Sequence, residues 1–84
     1  MDIAVEISLY PLAESFIPPI KAFLGRLQGD ARLKVVTSSL STQIVGKYED
    51  VFGALEREMR TSFAELDKAV FILKVFGPLA APGA

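Results

Sequence analysis

The stretch that decides the fold is DIAVEISLYP, residues 2–11. Apolar side chains at every second position from Ile3 to Leu9 alternate with more polar ones. A period of two is typical of a strand with one buried face. Pro11 follows, and proline has no main-chain N–H to donate to a neighbouring strand. We therefore expect a half-buried strand that ends at this proline.

Apolar spacing then predicts a helix and a hairpin. Apolar residues recur at intervals of three and four over residues 17–27, which predicts a helix with one buried stripe made of Ile17, Ile20, Leu24 and Leu27. Residues 33–38 and 42–47 both alternate, and the short turn between them predicts an antiparallel pair of strands. Gly46 in the second of these strands indicates a bulge or a close approach of another part of the backbone.

A second helix and a final strand complete the chain. Acidic residues after Tyr48 favour a helix start there, and apolar residues from Val51 to Phe63 mark its buried face. Residues 69–76 are apolar on both faces of the predicted strand, so both faces require cover. The order βαββαβ predicts a ferredoxin-like α+β fold, a four-stranded antiparallel sheet with two helices on one face.

The same element order predicts how the sheet is arranged. We expect the first and third strands to lie in the centre and to run parallel to each other. Right-handed crossovers put both helices on one face and leave the other face bare. Residues 1–76 form a single ferredoxin-like domain in this interpretation, and residues 77–84 form an irregular C-terminal tail.

The composition predicts that copies of the chain associate. About half of the 84 residues are hydrophobic, whereas about a quarter are charged. Two helices on one sheet face leave apolar surface uncovered, so we expect self-association through the sheet face as a dimer or tetramer. The alternative is a monomer that buries most of its apolar residues in its own core.

The composition also disfavours several functions. The chain has no cysteine and no histidine, which removes thiolate chemistry, the commonest general base and the commonest metal ligands. We therefore expect no metal and no cofactor. A net charge of −1 argues against binding to nucleic acid. We find no signal peptide and no apolar run long enough for a membrane helix, so we expect no membrane contact and a cytoplasmic location.

Short motifs recur in a fixed order along the chain. They are residues 7–12 (ISLYPL), 16–20 (FIPPI), 41–46 (STQIVG), 51–52 (VF) and 70–75 (VFILKV). In their order and spacing the sequence resembles the YkoF-like family of thiamine- and hydroxymethylpyrimidine-binding proteins, from about Ile3 to Val75. The resemblance implies a ferredoxin-like unit that associates in pairs and binds thiamine or its pyrimidine moiety without catalysing a reaction.

Candidate contacts follow from the chemistry of such a ligand. An aminopyrimidine needs hydroxyls or amides at fixed positions beside an apolar wall, and the thiazolium of thiamine favours a carboxylate. The candidates for hydrogen bonds are Ser8, Tyr10, Thr37, Ser41, Thr42 and Gln43, with Glu6 as the counter-charge.

Parallel central strands would separate these candidates into two groups. Ser41 and Thr42 would lie near the start of the first strand, roughly 16 Å from Tyr10 at about 3.3 Å per residue. Either one motif is then structural, or the pocket lies between subunits. On this basis we favour Ser41, Thr42 and Thr37 for ligand contact, and a structural role for residues 9–11.

Structural interpretations and other functions stay open beside this one. Ser and Thr are common on strands without any ligand, and Tyr10 can be a packed turn residue. Glu6 can pair with Lys34, with Lys74 or with a cationic ligand. The protein can also be an interaction or regulatory module whose sheet face docks a partner. A small cofactor-independent enzyme is less favoured, because the chain has no His, Trp or Asn.

Overall fold

The computed structural model describes residues 1–12, 14–15, 17–38, 41–66 and 68–80. Two residues of the predicted turn, 39 and 40, and the end of the tail, 81–84, lie outside the described residues. The elements in chain order are β1 (Asp2–Pro11), α1 (Ile17–Gln28), β2 (Lys34–Thr37), β3 (Thr42–Lys47), α2 (Tyr48–Glu65) and β4 (Ala69–Phe76). This order confirms the predicted βαββαβ fold.

The four strands form one sheet in the order β2-β3-β1-β4, in which every neighbouring pair is antiparallel. The prediction that the first and third strands are central is correct, but the prediction that they run parallel is wrong. The crossover through α1 makes β2 run in the same direction as β1. The hairpin then reverses the chain, so β3 runs opposite to both.

The register of the sheet places the ends of the motifs opposite each other. Ile3 pairs with Gly46 and Ile7 pairs with Thr42 between β1 and β3. On the other side, β1 continues beside β4 as far as the pair Pro11–Ala69. Among the described residues, β1 is therefore paired on both sides over residues 4–7, with β3 alone over residues 2–3 and with β4 alone over residues 8–11.

The core lies between the sheet and the two helices. Its buried side chains are Ile3, Val5, Ile7, Phe23, Leu27, Ile44, Val51, Ala54 and Leu55. The alternating row of β1 faces the helices as predicted. The predicted stripe of α1 is only partly correct, because Leu27 is buried, Ile20 and Leu24 are half-buried and Ile17 is exposed. The buried Phe23 was not predicted. Phe63 on α2, predicted to be buried, is half exposed and contacts Phe71 edge-on at 5.3 Å between ring centroids.

Gly46 shows the close approach that its place in the strand predicted. A Cβ atom at this position would lie 3.2 Å from the carbonyl oxygen of Arg32 and 3.3 Å from a methyl group of Val51. The register of β1 and β3 continues through Gly46 without an extra residue. The glycine therefore serves packing against the segment before β2 and against α2, and it forms no bulge.

Polar contacts fasten the helices to each other. Arg26 of α1 forms an ion pair with Glu58 of α2, and its Nη2 donates to the Ser62 hydroxyl at 3.2 Å. After α1, the Asp30 carboxylate accepts hydrogen bonds from Arg32. These bonds lower the pKa of Asp30 to about 2.

The sheet face opposite the helices carries several exposed apolar side chains. We call this surface the open sheet face; its exposed large apolar residues are Tyr10, Val36, Val70, Ile72 and Phe76. Ile72 is 51% exposed and Phe76 is 71% exposed. In the part of the chain that the structure describes, neither helix is long and apolar enough to cross a membrane.

Candidate functional site

The antiparallel register brings the two main motifs together. Because Thr42 lies opposite Ile7, the start of β3 adjoins the second half of β1. The expected separation of roughly 16 Å was wrong, since it assumed parallel strands. One chain can therefore place Ser41 and Thr42 beside residues 8–11, and a pocket between subunits is not required for these groups to meet.

A cavity of about 340 Å³ lies where these segments meet α1. We call it the β1–α1 cavity. Residues 7–11 of β1 form one side, and Ile20, Phe23 and Leu24 of α1 form the opposite wall. Sites for small ligands usually have volumes of about 300 to 1,000 Å³ and mostly apolar walls. The cavity is thus large enough for a single small aromatic ring with substituents.

Hydroxyl groups line the remaining side of the cavity. Ser38, Ser41 and Thr42 come from the hairpin. Ser8 and Tyr10 of β1 also border the cavity, but their side chains belong to the row of β1 that faces the open sheet face. Ser38 shapes the turn, since its N–H donates to the Ser41 carbonyl oxygen at 2.9 Å and its hydroxyl oxygen accepts from the Ser41 N–H at 3.2 Å. Thr42 is almost fully buried. The wall thus combines an apolar side with hydroxyls that can donate or accept.

The structure separates the remaining predicted candidates from this cavity. Thr37 lies opposite Thr42 in the β2–β3 register, but its side chain is exposed and does not line the cavity. Glu6 and Gln43 pair with each other on the open sheet face. The Oε1 atom of Glu6 lies 3.8 Å from the Nζ atom of Lys74, one of the partners predicted for it. Of the seven candidates, the structure brings four to the cavity and leaves three away from it: Ser8, Tyr10, Ser41 and Thr42 line it, and Glu6, Thr37 and Gln43 do not.

Sequence reasoning missed the apolar wall and Ser38. Ile20, Phe23 and Leu24 occupy positions on α1 that core packing alone would explain. Ser38 belongs to a turn whose distance from β1 depends on strand direction. If the first and third strands had been predicted to run antiparallel, all of these residues would have been expected near the candidate site.

The cavity wall carries no formal charge. Among the described residues that line it, none is Asp, Glu, Lys or Arg. Across the described ranges, no group of three or more Asp or Glu side chains could hold a metal ion. The wall can therefore receive a neutral polar ring, whereas an anionic group would find no opposite charge there.

The chain belongs to the YKOF-related family, whose sequence model matches residues 2–75. This match confirms the resemblance in the sequence and covers both sides of the β1–α1 cavity. None of the proteins with curated functions that were compared with the chain matches it.

Solved structures share the fold. A Streptococcus pneumoniae protein superposes with a TM-score of 0.86 at 17% identity, with 94% of this chain and 89% of that chain covered. A Thermotoga maritima protein, named a "putative thiamine biosynthesis/salvage protein", gives 0.84 at 15% identity, with 93% and 85% covered. A hypothetical protein from Methanocaldococcus jannaschii gives 0.81 at 22% identity, with 95% and 84% covered. At these identities the likeness concerns the fold.

Proposed function

We propose that this protein binds thiamine or its pyrimidine moiety, hydroxymethylpyrimidine, in the β1–α1 cavity, and that it does so without catalysing a reaction. The observation that carries the proposal is the meeting of the two family motifs around a cavity with an apolar wall and a hydroxyl rim. Membership of the YKOF-related family and the name given to the Thermotoga maritima protein support the same ligand class.

The position of the charged groups suggests how the ligand is oriented. The uncharged wall suits the neutral pyrimidine ring, with Ile20, Phe23 and Leu24 against its faces. The cationic thiazolium of thiamine would be better hydrated at the mouth of the cavity. Glu6, which the sequence suggested as a counter-charge, is instead paired with Lys74 on the open sheet face.

Thermal denaturation tests the binding. A ligand that binds only the folded protein stabilises it by about 2.7 kcal/mol at a hundredfold excess over Kd. We expect thiamine or hydroxymethylpyrimidine at millimolar concentration to raise Tm by several degrees. If neither compound changes Tm or produces heat in calorimetry, the proposal is wrong.

A pair of variants locates the site. Ile20→Trp adds bulk to the cavity wall and should abolish the shift in Tm. Ala22→Trp introduces the same side chain at an exposed position of the same helix and should preserve it. Loss of binding in both variants, or in neither, would place the ligand elsewhere.

We also propose that copies of the chain associate through the open sheet face, as a dimer or a tetramer. The exposed apolar side chains there support this proposal, because an apolar patch of this kind is unfavourable in water. Glu6 and Lys74 lie side by side within the patch. Across a twofold axis, the same two residues could pair between subunits. A monomeric mass at micromolar concentration would contradict the proposal.

The absence of catalysis is part of the proposal and is tested separately. Incubation of the purified protein with thiamine should return the ligand unchanged. Formation of free pyrimidine and thiazole products would instead show an enzyme.

A further inference from the structure

We propose that ligand binding in the β1–α1 cavity and self-association through the open sheet face strengthen each other. The two are connected by residues 8–11 of β1, which border the cavity and belong to a strand of the open sheet face. This coupling rests on the proposed function, since it links the two parts of it. It gives the second copy of the chain a role in regulating the site.

The end of β1 presents alternate side chains to the two faces of the sheet. Ile7 is buried in the core on the helix side. Successive side chains of a strand point to opposite faces, so Ser8 and Tyr10 belong to the open sheet face. Both residues nevertheless border the cavity. The cavity therefore reaches the plane of the sheet along this segment and is not confined to the space beneath the helices.

Exposed apolar side chains lie beside this segment on the open sheet face. Ile72 is opposite Ser8, and Val70 is opposite Tyr10, in the register of β1 and β4. Residues paired in this way have their side chains on the same face of the sheet. Tyr10, Val70 and Ile72 are all about half exposed. The border of the cavity is thus continuous with the apolar surface of the proposed interface.

The size of a stable interface brings this border under the second copy. Glu6 and Lys74 lie opposite each other, and their opposite charges mark a place where a twofold axis can pass. A stable interface buries about 800 Å² on each partner, which corresponds to a disc with a radius of about 16 Å. Tyr10 is further along β1 than Glu6 by about 13 Å, at about 3.3 Å per residue. An interface centred on Glu6 and Lys74 therefore covers Ser8 and Tyr10.

Cover on this side favours the ligand, and the reverse effect follows from thermodynamic linkage. A second copy over Tyr10 excludes water from the part of the cavity that Ser8 and Tyr10 border, so more of the ligand surface is buried. Hydrogen bonds to the hydroxyls of Ser41 and Thr42 are stronger where water is excluded. Because coupling between two binding equilibria is reciprocal, the ligand must in turn tighten the assembly.

Sedimentation of the original protein tests the coupling directly. We expect saturation with hydroxymethylpyrimidine to lower the dissociation constant of the assembly by at least about fivefold. Analytical ultracentrifugation over a series of protein concentrations measures this constant with and without the ligand. Equilibrium dialysis over the same series should show that the affinity for the ligand rises as the assembly forms. A bound ligand that leaves the dissociation constant of the assembly unchanged would overturn the coupling.

Two variants of the open sheet face separate association from a local disturbance of the cavity. Ile72→Lys puts a charge opposite Ser8, beside the cavity. Phe76→Lys puts the same charge opposite Ala4, further along β4 by about 13 Å and away from the cavity lining. We expect both variants to be monomers, and both to bind hydroxymethylpyrimidine at least about fivefold more weakly than the original protein.

The remaining results distinguish the coupling from the proposed function. Unchanged ligand affinity in both monomeric variants, or a loss confined to Ile72→Lys, would overturn the coupling and leave ligand binding in the cavity intact. An original protein that binds ligand but stays monomeric with and without it would overturn both the self-association and the coupling. If the original protein binds neither hydroxymethylpyrimidine nor thiamine at any protein concentration, the proposed ligand binding is itself wrong.

Discussion

At the scale of single residues, Thr42 and Thr37 show how a register assigns roles to identical side chains. They lie opposite each other in the hairpin. Thr42 is 5% exposed and lines the β1–α1 cavity, whereas Thr37 is exposed and does not line it. Both were ligand candidates from the sequence, and the structure favours only Thr42.

Substitution of the two threonines tests this difference. Thr42→Val keeps the shape and removes the hydroxyl, so we expect affinity for hydroxymethylpyrimidine to fall about fivefold to tenfold, on the order of 1 kcal/mol. Thr37→Val should leave the affinity unchanged. Isothermal titration calorimetry measures both, and an equal loss in the two variants would contradict the assignment to this cavity.

Two glycines make a second prediction at this scale. A Cβ atom at Gly77 would lie 2.7 Å from the Cγ2 atom of the buried Ile3, whereas nothing lies within 4 Å of one at Gly25. We expect Gly77→Ala to lower the free energy of unfolding by about 1 to 3 kcal/mol through overpacking. Gly25→Ala, within α1, should raise it by about 0.5 to 1 kcal/mol. Urea denaturation measures both free energies of unfolding. Similar changes in the two variants would show that the Ile3 side chain can move aside without destabilising the protein.

At the scale of elements, the contact between α1 and α2 holds the cavity wall in place. Arg26 pairs with Glu58, whose side chain is 17% exposed, and it also contacts Ser62. By contrast, the pair Glu56–Arg60 on α2 is highly exposed. Removing the partner of a partly buried charge lowers the free energy of unfolding more than removing the partner of an exposed charge.

Replacing each of the two glutamates separately should therefore change the free energy of unfolding by different amounts. We expect Glu58→Ala to lower the free energy of unfolding by about 1 to 3 kcal/mol, because Arg26 keeps its charge without its closest partner. Glu56→Ala should change it by less than about 0.5 kcal/mol. Chemical denaturation at low salt measures the difference. Equal effects would indicate that the helices are held by apolar packing alone.

The segment after α1 provides a pH dependence. Hydrogen bonds from Arg32, with a further contribution from the charge of Arg57, lower the pKa of Asp30 from 3.8 to about 2. A carboxylate whose pKa is lowered by folding stabilises the native state above its unfolded pKa, and this contribution disappears as the pH falls through its folded pKa. Its contribution is thus complete well above pH 3.8 and is lost as the pH falls toward 2.

Asp30→Asn checks this dependence. We expect the variant to have a lower free energy of unfolding than the original protein at neutral pH. The difference between the two free energies should become smaller as the pH falls from about 5 to about 2. Denaturation curves at several pH values measure it. In the background of Arg32→Gln, the narrowing should be much smaller. A difference that does not vary with pH would contradict the role of this carboxylate.

At the scale of the whole molecule, the helices cover one face of the sheet and leave the other exposed. Ile72 and Phe76 of β4 and Tyr10 of β1 lie on the open sheet face. The doubly apolar character of β4 was visible in the sequence. Its outward row finds no cover within the described part of the chain, and this is the physical basis of the proposed self-association.

Substitution on that face tests the association. We expect the original protein to sediment as a dimer or tetramer and Ile72→Lys to sediment near the monomer mass of 9.1 kDa, because a charge at an apolar interface is costly. Ala64→Lys, at an exposed position of α2, should keep the assembly. Analytical ultracentrifugation measures all three. An unchanged assembly in Ile72→Lys would exclude this face as the interface.

The sequence by itself determined the six elements, the inward row of β1 and the family, because alternation, helical spacing and short motifs are local properties of the chain. Only the tertiary structure decided that β3 runs opposite to β1, that Thr42 lies beside residues 8–11, and that Glu6 lies with Lys74 outside the cavity. The physical reason is that strand direction and register arise from how distant segments pack. Reversing one strand exchanges the positions of its two ends. The residues that meet at a given edge of the sheet, and therefore the residues that line the cavity, change with it.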